Sequence, residues 1–84
     1  MSFGAEPTYN EKLENAYPSA RNSDPINRQV REVMFQLKDF GYDDFSKNSV
    51  IVSKFKQNGK LDDMMGIYAE VERSYNGGSG APAQ

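Results

Sequence analysis

The sequence predicts an all-α fold: a compact three-helix bundle, to which a short N-terminal helix is an optional addition. Three stretches carry apolar residues at helical spacing, and glycines follow the first two of them. No segment combines alternating polarity with a hairpin turn, which argues against a sheet. The 84 residues allow one domain at most, with room for a small core and none for a deep catalytic cleft.

Composition excludes several classes of function. The net charge is −2, whereas nucleic-acid-binding proteins usually present a basic face. The chain has no cysteine and no histidine, so it lacks thiolate and imidazole ligands and the commonest general base. No apolar run approaches the ~20 residues of a membrane span. We therefore expect a non-enzymatic protein of the cytoplasm or nucleus that uses no cofactor, metal, nucleic acid or membrane.

The polar N-terminal part, residues 1–23, contains two prolines and is expected to be a flexible leader. One local signal indicates structure within it. Thr8 and Glu11 fit a capping box, in which each side chain accepts a hydrogen bond from a free amide at a helix start. An apolar helical face follows, made of Tyr9, Leu13, Ala16 and Tyr17. A short helix over residues 9–17 that docks on the main domain is therefore the alternative to a flexible leader.

The domain itself is expected over residues 24–75, and its first main helix has the clearest signals. Asp24 suits the N-cap and Pro25 suits the first helical position, where a missing N–H costs nothing. One apolar stripe follows, made of Ile26, Val30, Val33, Met34 and Leu37. Gly41 suits the position after the helix, because glycine enters the left-handed region cheaply. These signals predict a helix over about residues 26–39.

The second main helix is expected to start after Asp43 or Asp44, either of which can cap it. Its apolar face consists of Phe45, Asn48, Ile51, Val52 and Phe55. Residues 50–52 have β propensity but no partner strand, so we interpret them as helical. Asn58 and Gly59 are expected to end this helix.

The third main helix is predicted over residues 61–74. Its apolar stripe consists of Leu61, Met64, Met65, Tyr68 and Val71. The adjacent Met64 and Met65 are expected to fill the core, with an adaptable binding surface as the alternative. Residues 76–84 are rich in glycine and are expected to be a flexible tail.

This arrangement resembles the ubiquitin-associated (UBA) family. The family pattern is a first helix ending in Met-Gly-Phe or Met-Gly-Tyr, a nearby Asn, a second turn with glycine, and then a helix with spaced apolar residues. The matching residues here are Phe40, Gly41, Tyr42, Asn48, Asn58, Gly59, Leu61, Met64, Met65 and Tyr68. The resemblance is closest to the UBA domain of ubiquilin-type proteasomal shuttle proteins. It rests mainly on residues 36–48 and covers about residues 26–75.

The sequence departs from the family pattern at several positions. Phe40 stands where methionine is usual, and Ser46 stands where shuttle domains often carry an acidic residue. The segment over residues 48–61 is about two residues longer than is usual in the family. A small residue is common at the position of Met64.

The resemblance implies a non-catalytic module that binds ubiquitin or polyubiquitin. In the family, the loop after the first main helix and the exposed side of the third form a shallow apolar patch for the ubiquitin sheet. The partner-binding residues implied here are Phe40, Gly41, Tyr42, Asp43, Ser46, Tyr68, Ala69 and Glu72. Such an interface buries less than ~1,200 Å² and is weak, so useful affinity would require several modules or a polyubiquitin chain.

Alternatives remain open for the residues and for the function. Phe40 could close the core, Gly41 could serve only as a helix stop, and Tyr42 could be half-buried beneath the neighbouring loop. The alternative function is a UBA-like interaction or dimerisation module with a non-ubiquitin partner, which includes a weak homodimer. The extended second helix and Ser46 favour this alternative.

Overall fold

The computed structural model describes residues 6–76, which form four α-helices joined by short connections. The helices are α1 (Tyr9–Ala16), α2 (Pro25–Asp39), α3 (Phe45–Gln57) and α4 (Met64–Asn76), with a 3-10 turn at Ser19–Arg21. No strand occurs within the described range, so the prediction of an all-α bundle is confirmed. Residues 77–84 of the predicted tail lie outside this range. None of the helices over residues 6–76 has the length and apolar character needed to cross a membrane.

The end of α2 has the geometry that the sequence predicts around Gly41. This glycine has a φ of +100°, in the region that other residues rarely enter. Its N–H donates to the carbonyl of Lys38 at 2.9 Å, and the N–H of Tyr42 donates to the carbonyl of Leu37 at 2.9 Å. This pair of hydrogen bonds is a Schellman motif, which satisfies the last carbonyls of the helix and reverses the chain.

Asp44 determines where α3 begins. Its carboxylate accepts a hydrogen bond from the N–H of Lys47 at 3.1 Å, so Asp44 is the capping residue and Asp43 precedes it in the loop. Residues 50–52 are helical despite their β propensity. The helix ends before Gly59, whose φ of +68° again reverses the chain.

The start of α4 differs from the prediction by three residues, at Met64 instead of 61. The Asp63 carboxylate accepts a hydrogen bond from the N–H of Gly66 at 3.1 Å, which satisfies a free amide of the first turn. Leu61 is buried, but it reaches the core from the preceding turn and not from the helix. Apolar spacing alone therefore placed the start too early.

Within the segment predicted as a leader, of which residues 1–5 lie outside the described range, α1 contributes to the core. Both capping-box hydrogen bonds are formed: the Thr8 N–H donates to Glu11 Oε1 at 2.8 Å, and the Glu11 N–H donates to Thr8 Oγ1 at 3.1 Å. Tyr9 and Leu13 are buried, Leu13 completely. A pre-capped helix with a buried apolar face offsets the entropy cost of ordering this polar segment.

The core contains apolar residues from all four helices and from the turn before α4. Its buried members are Tyr9, Leu13, Val30, Val33, Met34, Leu37, Ile51, Val52, Leu61, Ile67 and Val71. The first helix runs antiparallel to α2, because Asn10 contacts Lys38 while Glu14 forms an ion pair with Arg31 at 2.9 Å. The chain therefore adds a helix to the predicted three-helix bundle on one side of α2 and α3.

Candidate protein-binding surface

The most prominent feature of the surface is a stacked pair of aromatic rings at the end of α2. Phe40 is 66 % exposed, although it is a large apolar side chain. Its ring is parallel to that of Tyr68 within 5°, with the ring centres 4.8 Å apart. Of the two alternatives for Phe40, the structure has the ring outside the core. We call Phe40, Gly41 and Tyr68 the aromatic corner.

Gly41 leaves open space beside the two rings. Apart from its two chain neighbours, a Cβ atom built at this position would have no heavy atom within 4 Å. The glycine is therefore required for its backbone conformation and not by crowding within the chain. The same open space allows the backbone of another molecule to approach the corner closely.

A row of exposed residues on α4 continues the surface from Tyr68. Met65 is 85 % exposed, and Ala69 and Glu72 are also exposed at helical spacing from it. We call these three residues the outer face of α4. The expectation that both methionines fill the core holds for Met64, which packs against it, and is wrong for Met65. Met65 lies one turn before Ala69, on the same helical face as Ala69 and Glu72. This spacing is the sequence signal that could have identified Met65 as a surface residue.

Tyr42 has a different position from Phe40. It is half-buried, and its ring lies against that of Tyr75 with the centres 4.9 Å apart and the planes at 60°. Its carbonyl accepts a hydrogen bond from Asn48 Nδ2 at 2.7 Å. Tyr42 therefore fixes the loop on the bundle, while Phe40 presents its ring to solvent.

Asp43 and Ser46 are exposed, Asp43 in the loop and Ser46 in the first turn of α3. The ring pair is formed by the end of α2 and by α4, so these two residues belong to a neighbouring part of the surface. Phe40 thus stacks on Tyr68, and the exposed surface continues from Tyr68 along the outer face of α4. Tyr42 is held separately, against Tyr75.

The aromatic corner lies in an acidic environment. Partial burial, followed by the negative charge of Asp39, raises the pKa of the Tyr68 hydroxyl above its ordinary value. The hydroxyl donates to Gln36 Oε1 at 3.4 Å, a long hydrogen bond that orients the ring. Glu72 adds a second exposed carboxylate on the same side of α4. The surface therefore combines exposed apolar rings with negative charge.

A buried network of hydrogen bonds lies behind the loop that carries Phe40. Asn48 is completely buried, and its Nδ2 donates to the Tyr9 hydroxyl at 3.0 Å as well as to the Tyr42 carbonyl. Its Oδ1 accepts from the Tyr75 hydroxyl at 2.8 Å. The Tyr9 hydroxyl in turn donates to the carbonyl of Met34 at 2.6 Å. The asparagine of the motif thus connects α1, α2, α3, α4 and the loop.

Burial raises the pKa of Tyr9 to about 12. The hydrogen bond with Asn48 acts in the opposite direction and lowers the pKa by a smaller amount. At neutral pH the hydroxyl therefore keeps the proton that it donates to Met34. The sequence predicts Tyr9 on a docking face but gives no sign of its hydroxyl as a partner of Asn48. Because Tyr9 and Asn48 are far apart in the sequence, no periodic pattern indicates that they are in contact.

Within residues 6–76 no group of three or more acidic side chains is arranged to hold a metal ion. A shallow depression of about 240 Å³ lies near the start of α2, at the other end of that helix from Phe40. At the aromatic corner the Phe40 ring is mostly exposed, whereas a small-molecule site encloses most of its ligand in a cleft.

Comparison with known proteins provides no family assignment. No protein-family model matches the chain, and no match to a curated protein or to a solved structure was found. The features that bear on function are therefore the aromatic corner, the outer face of α4 and the sequence resemblance over residues 36–48.

Proposed function

We propose that this chain is a non-catalytic module that binds ubiquitin or polyubiquitin through the aromatic corner and the outer face of α4. The observation that carries the proposal is the exposed Phe40 ring, stacked on Tyr68 directly before Gly41. The resemblance to the UBA family implies a loop contact at this position. A large exposed ring next to a second aromatic is also what a small apolar interface uses as its anchor.

The arrangement of the rings favours binding for a further reason. Phe40 and Tyr68 already stack in the free protein, so little side-chain entropy remains to be lost when a partner covers them. Met65 is unbranched and 85 % exposed, which allows it to adapt to the edge of an apolar contact. Rigid rings flanked by an adaptable side chain can form a small interface of modest affinity.

The proposal is tested by adding unlabelled ubiquitin to the isotope-labelled full chain and following its amide shifts. We expect saturable shifts concentrated at residues 40–43 and 65–72. Phe40→Ala should weaken binding by at least about 10-fold, because an anchor at the centre of a small interface carries much of its energy. Since most of the ring is exposed in the free protein, this variant should keep its fold.

Val50→Ala is the matched control. Val50 is an apolar residue with 70 % exposure, comparable to that of Phe40, but it lies on α3. The control should bind ubiquitin as the unmodified chain does. Equal losses in both variants, or shifts spread over the whole domain, would contradict the proposed surface. No shifts at millimolar ubiquitin would reject ubiquitin as the partner and leave the interaction or dimerisation module as the function.

A further inference from the structure

We infer that Tyr9 on α1 is a positioning residue of the aromatic corner. Its hydroxyl acts on the corner through Asn48. The inference rests on the proposed function, since it concerns the affinity of the same surface. It assigns a binding role to α1, a helix that lies outside the region of the UBA resemblance.

The Asn48 amide fixes the loop on two sides. Its Nδ2 group donates to the Tyr42 carbonyl at 2.7 Å, immediately after Gly41. Its Oδ1 accepts from the Tyr75 hydroxyl, which itself accepts from the N–H of Asp44 at 2.9 Å. The backbone on both sides of Asp43 is therefore held by one side-chain amide and one phenol.

Tyr9 determines how that amide is oriented. An asparagine amide has two N–H donors, and here one bonds to the Tyr42 carbonyl while the other bonds to the Tyr9 hydroxyl at 3.0 Å. The hydroxyl donates its own proton to the Met34 carbonyl at 2.6 Å, so its oxygen is directed at Asn48 as an acceptor. Asn48 and Tyr9 are both buried, and no buried side-chain nitrogen or oxygen in residues 6–76 lacks a partner.

Removal of the hydroxyl alone breaks this arrangement. One N–H of the Asn48 amide then lacks an acceptor in the interior, and the amide can turn to find another. Rotation of the amide weakens its bond to the Tyr42 carbonyl, which frees the loop beside Gly41. A loop that must be ordered again on binding lowers the affinity of the corner, although every contact residue is still present.

The test compares Tyr9→Phe with the unmodified full chain in the ubiquitin titration. Tyr9→Phe keeps the ring, which packs edge-on against Phe45 with the centres 5.5 Å apart. We expect Kd to rise by about 3- to 10-fold through lost preorganisation. In the free variant we expect lower amide order parameters at Gly41 and Tyr42 and a shifted carbonyl resonance of Tyr42.

Val30→Ala is the control for a general loss of stability. Val30 is completely buried in the middle of α2, and none of the network hydrogen bonds involves it. At a temperature where both variants are folded, Val30→Ala should leave Kd and the Gly41 order parameter unchanged. If the unmodified chain binds ubiquitin and Tyr9→Phe binds equally well, the inference is wrong. If the unmodified chain does not bind, the proposed function fails, and the order parameters still decide whether Tyr9 positions the loop.

Discussion

Phe40 and Gly41 show how one position can be predicted from sequence while its neighbour cannot. The left-handed conformation of Gly41 follows from local chemistry, because a glycine after an apolar helical stripe is a common helix end. The exposure of Phe40 depends on where α4 lies, and no local pattern defines that position. The sequence therefore left open whether Phe40 closes the core, and the stack on Tyr68 answers the question for the unbound chain.

The pKa of Tyr9 predicts a loss of stability at alkaline pH. The value in the folded state is about 12, above the ordinary value of 10.0. The neutral hydroxyl therefore stabilises the fold fully below pH 10, and this contribution is lost as the pH rises towards the folded value. The loss should reach roughly 1 kcal/mol by pH 11. Urea unfolding of the unmodified chain and of Tyr9→Phe between pH 8 and pH 11 measures it.

The comparison with Tyr9→Phe isolates this one group. The pKa values of Tyr68 and Tyr75 are also raised, mainly by burial, and both residues remain in the variant. At neutral pH the variant should be less stable by about 1–3 kcal/mol, because loss of the hydroxyl leaves the buried Asn48 N–H without an acceptor. The difference between the two proteins should then shrink above pH 10. A constant difference across the range would show that Tyr9 titrates normally in the folded protein.

At the scale of helices and turns, polar residues at the helix starts predicted the helix boundaries better than apolar spacing did. The capping box of Thr8 and Glu11 predicted α1, and Asp24 with Pro25 predicted the start of α2. The start of α4 was placed too early because Leu61 continues the apolar spacing although it lies in a turn. A buried turn residue and a buried helical residue look alike in a periodicity pattern.

The choice between the two candidate caps of α3 gives a direct prediction. Asp44→Ala removes the carboxylate that accepts from the N–H of Lys47 and should cost about 1 kcal/mol in the free energy of unfolding. Asp43→Ala, one position earlier and exposed, is the matched control and should change it by less than about 0.5 kcal/mol. Chemical denaturation of both variants at neutral pH measures the two effects. Equal losses would contradict the assignment of Asp44 as the cap.

At the scale of the whole molecule, the number of main helices and most core residues could be predicted, but the role of α1 could not. Composition marked residues 1–23 as a leader, and only the capping box and the short apolar face that follows it argued for structure. Whether a short helix stays bound depends on the contacts of Tyr9 and Leu13 with core residues of the other helices, which exist only after the bundle forms. For the same reason the sequence left the burial of Tyr42 and the exposure of Met65 as alternatives, and the positions of Tyr75 and α4 in the folded chain decide between them.

Removal of residues 1–22 should therefore destabilise the domain. The deletion takes away Leu13, which is completely buried, and Tyr9, which is nearly so. Burial of each contributes about 1.5–3 kcal/mol, so Tm should fall by more than about 10 °C. Thermal unfolding followed by circular dichroism measures the change. An unchanged Tm would show that α1 does not pack on the bundle.

Two point substitutions on α1 make the same test without shortening the chain. Leu13→Ala should reduce stability by about 2–4 kcal/mol, since it leaves a cavity in the core. Asn15→Ala is the control on the same helix, where the side chain is exposed, and should have little effect.

The buried amide of Asn48 has a consequence for how the molecule opens. Its partners come from α1, from α4 and from the loop after α2, so outward movement of any one of them leaves an unpaired polar group in the interior. Each such group costs about 1–3 kcal/mol, a large share of what holds so small a domain together. This penalty adds to the packing that is lost when α1 or α4 moves outward, so it lowers the population of partly opened forms and makes unfolding of residues 6–76 more cooperative. Proteolysis within this range should accordingly be slow until the helices separate together.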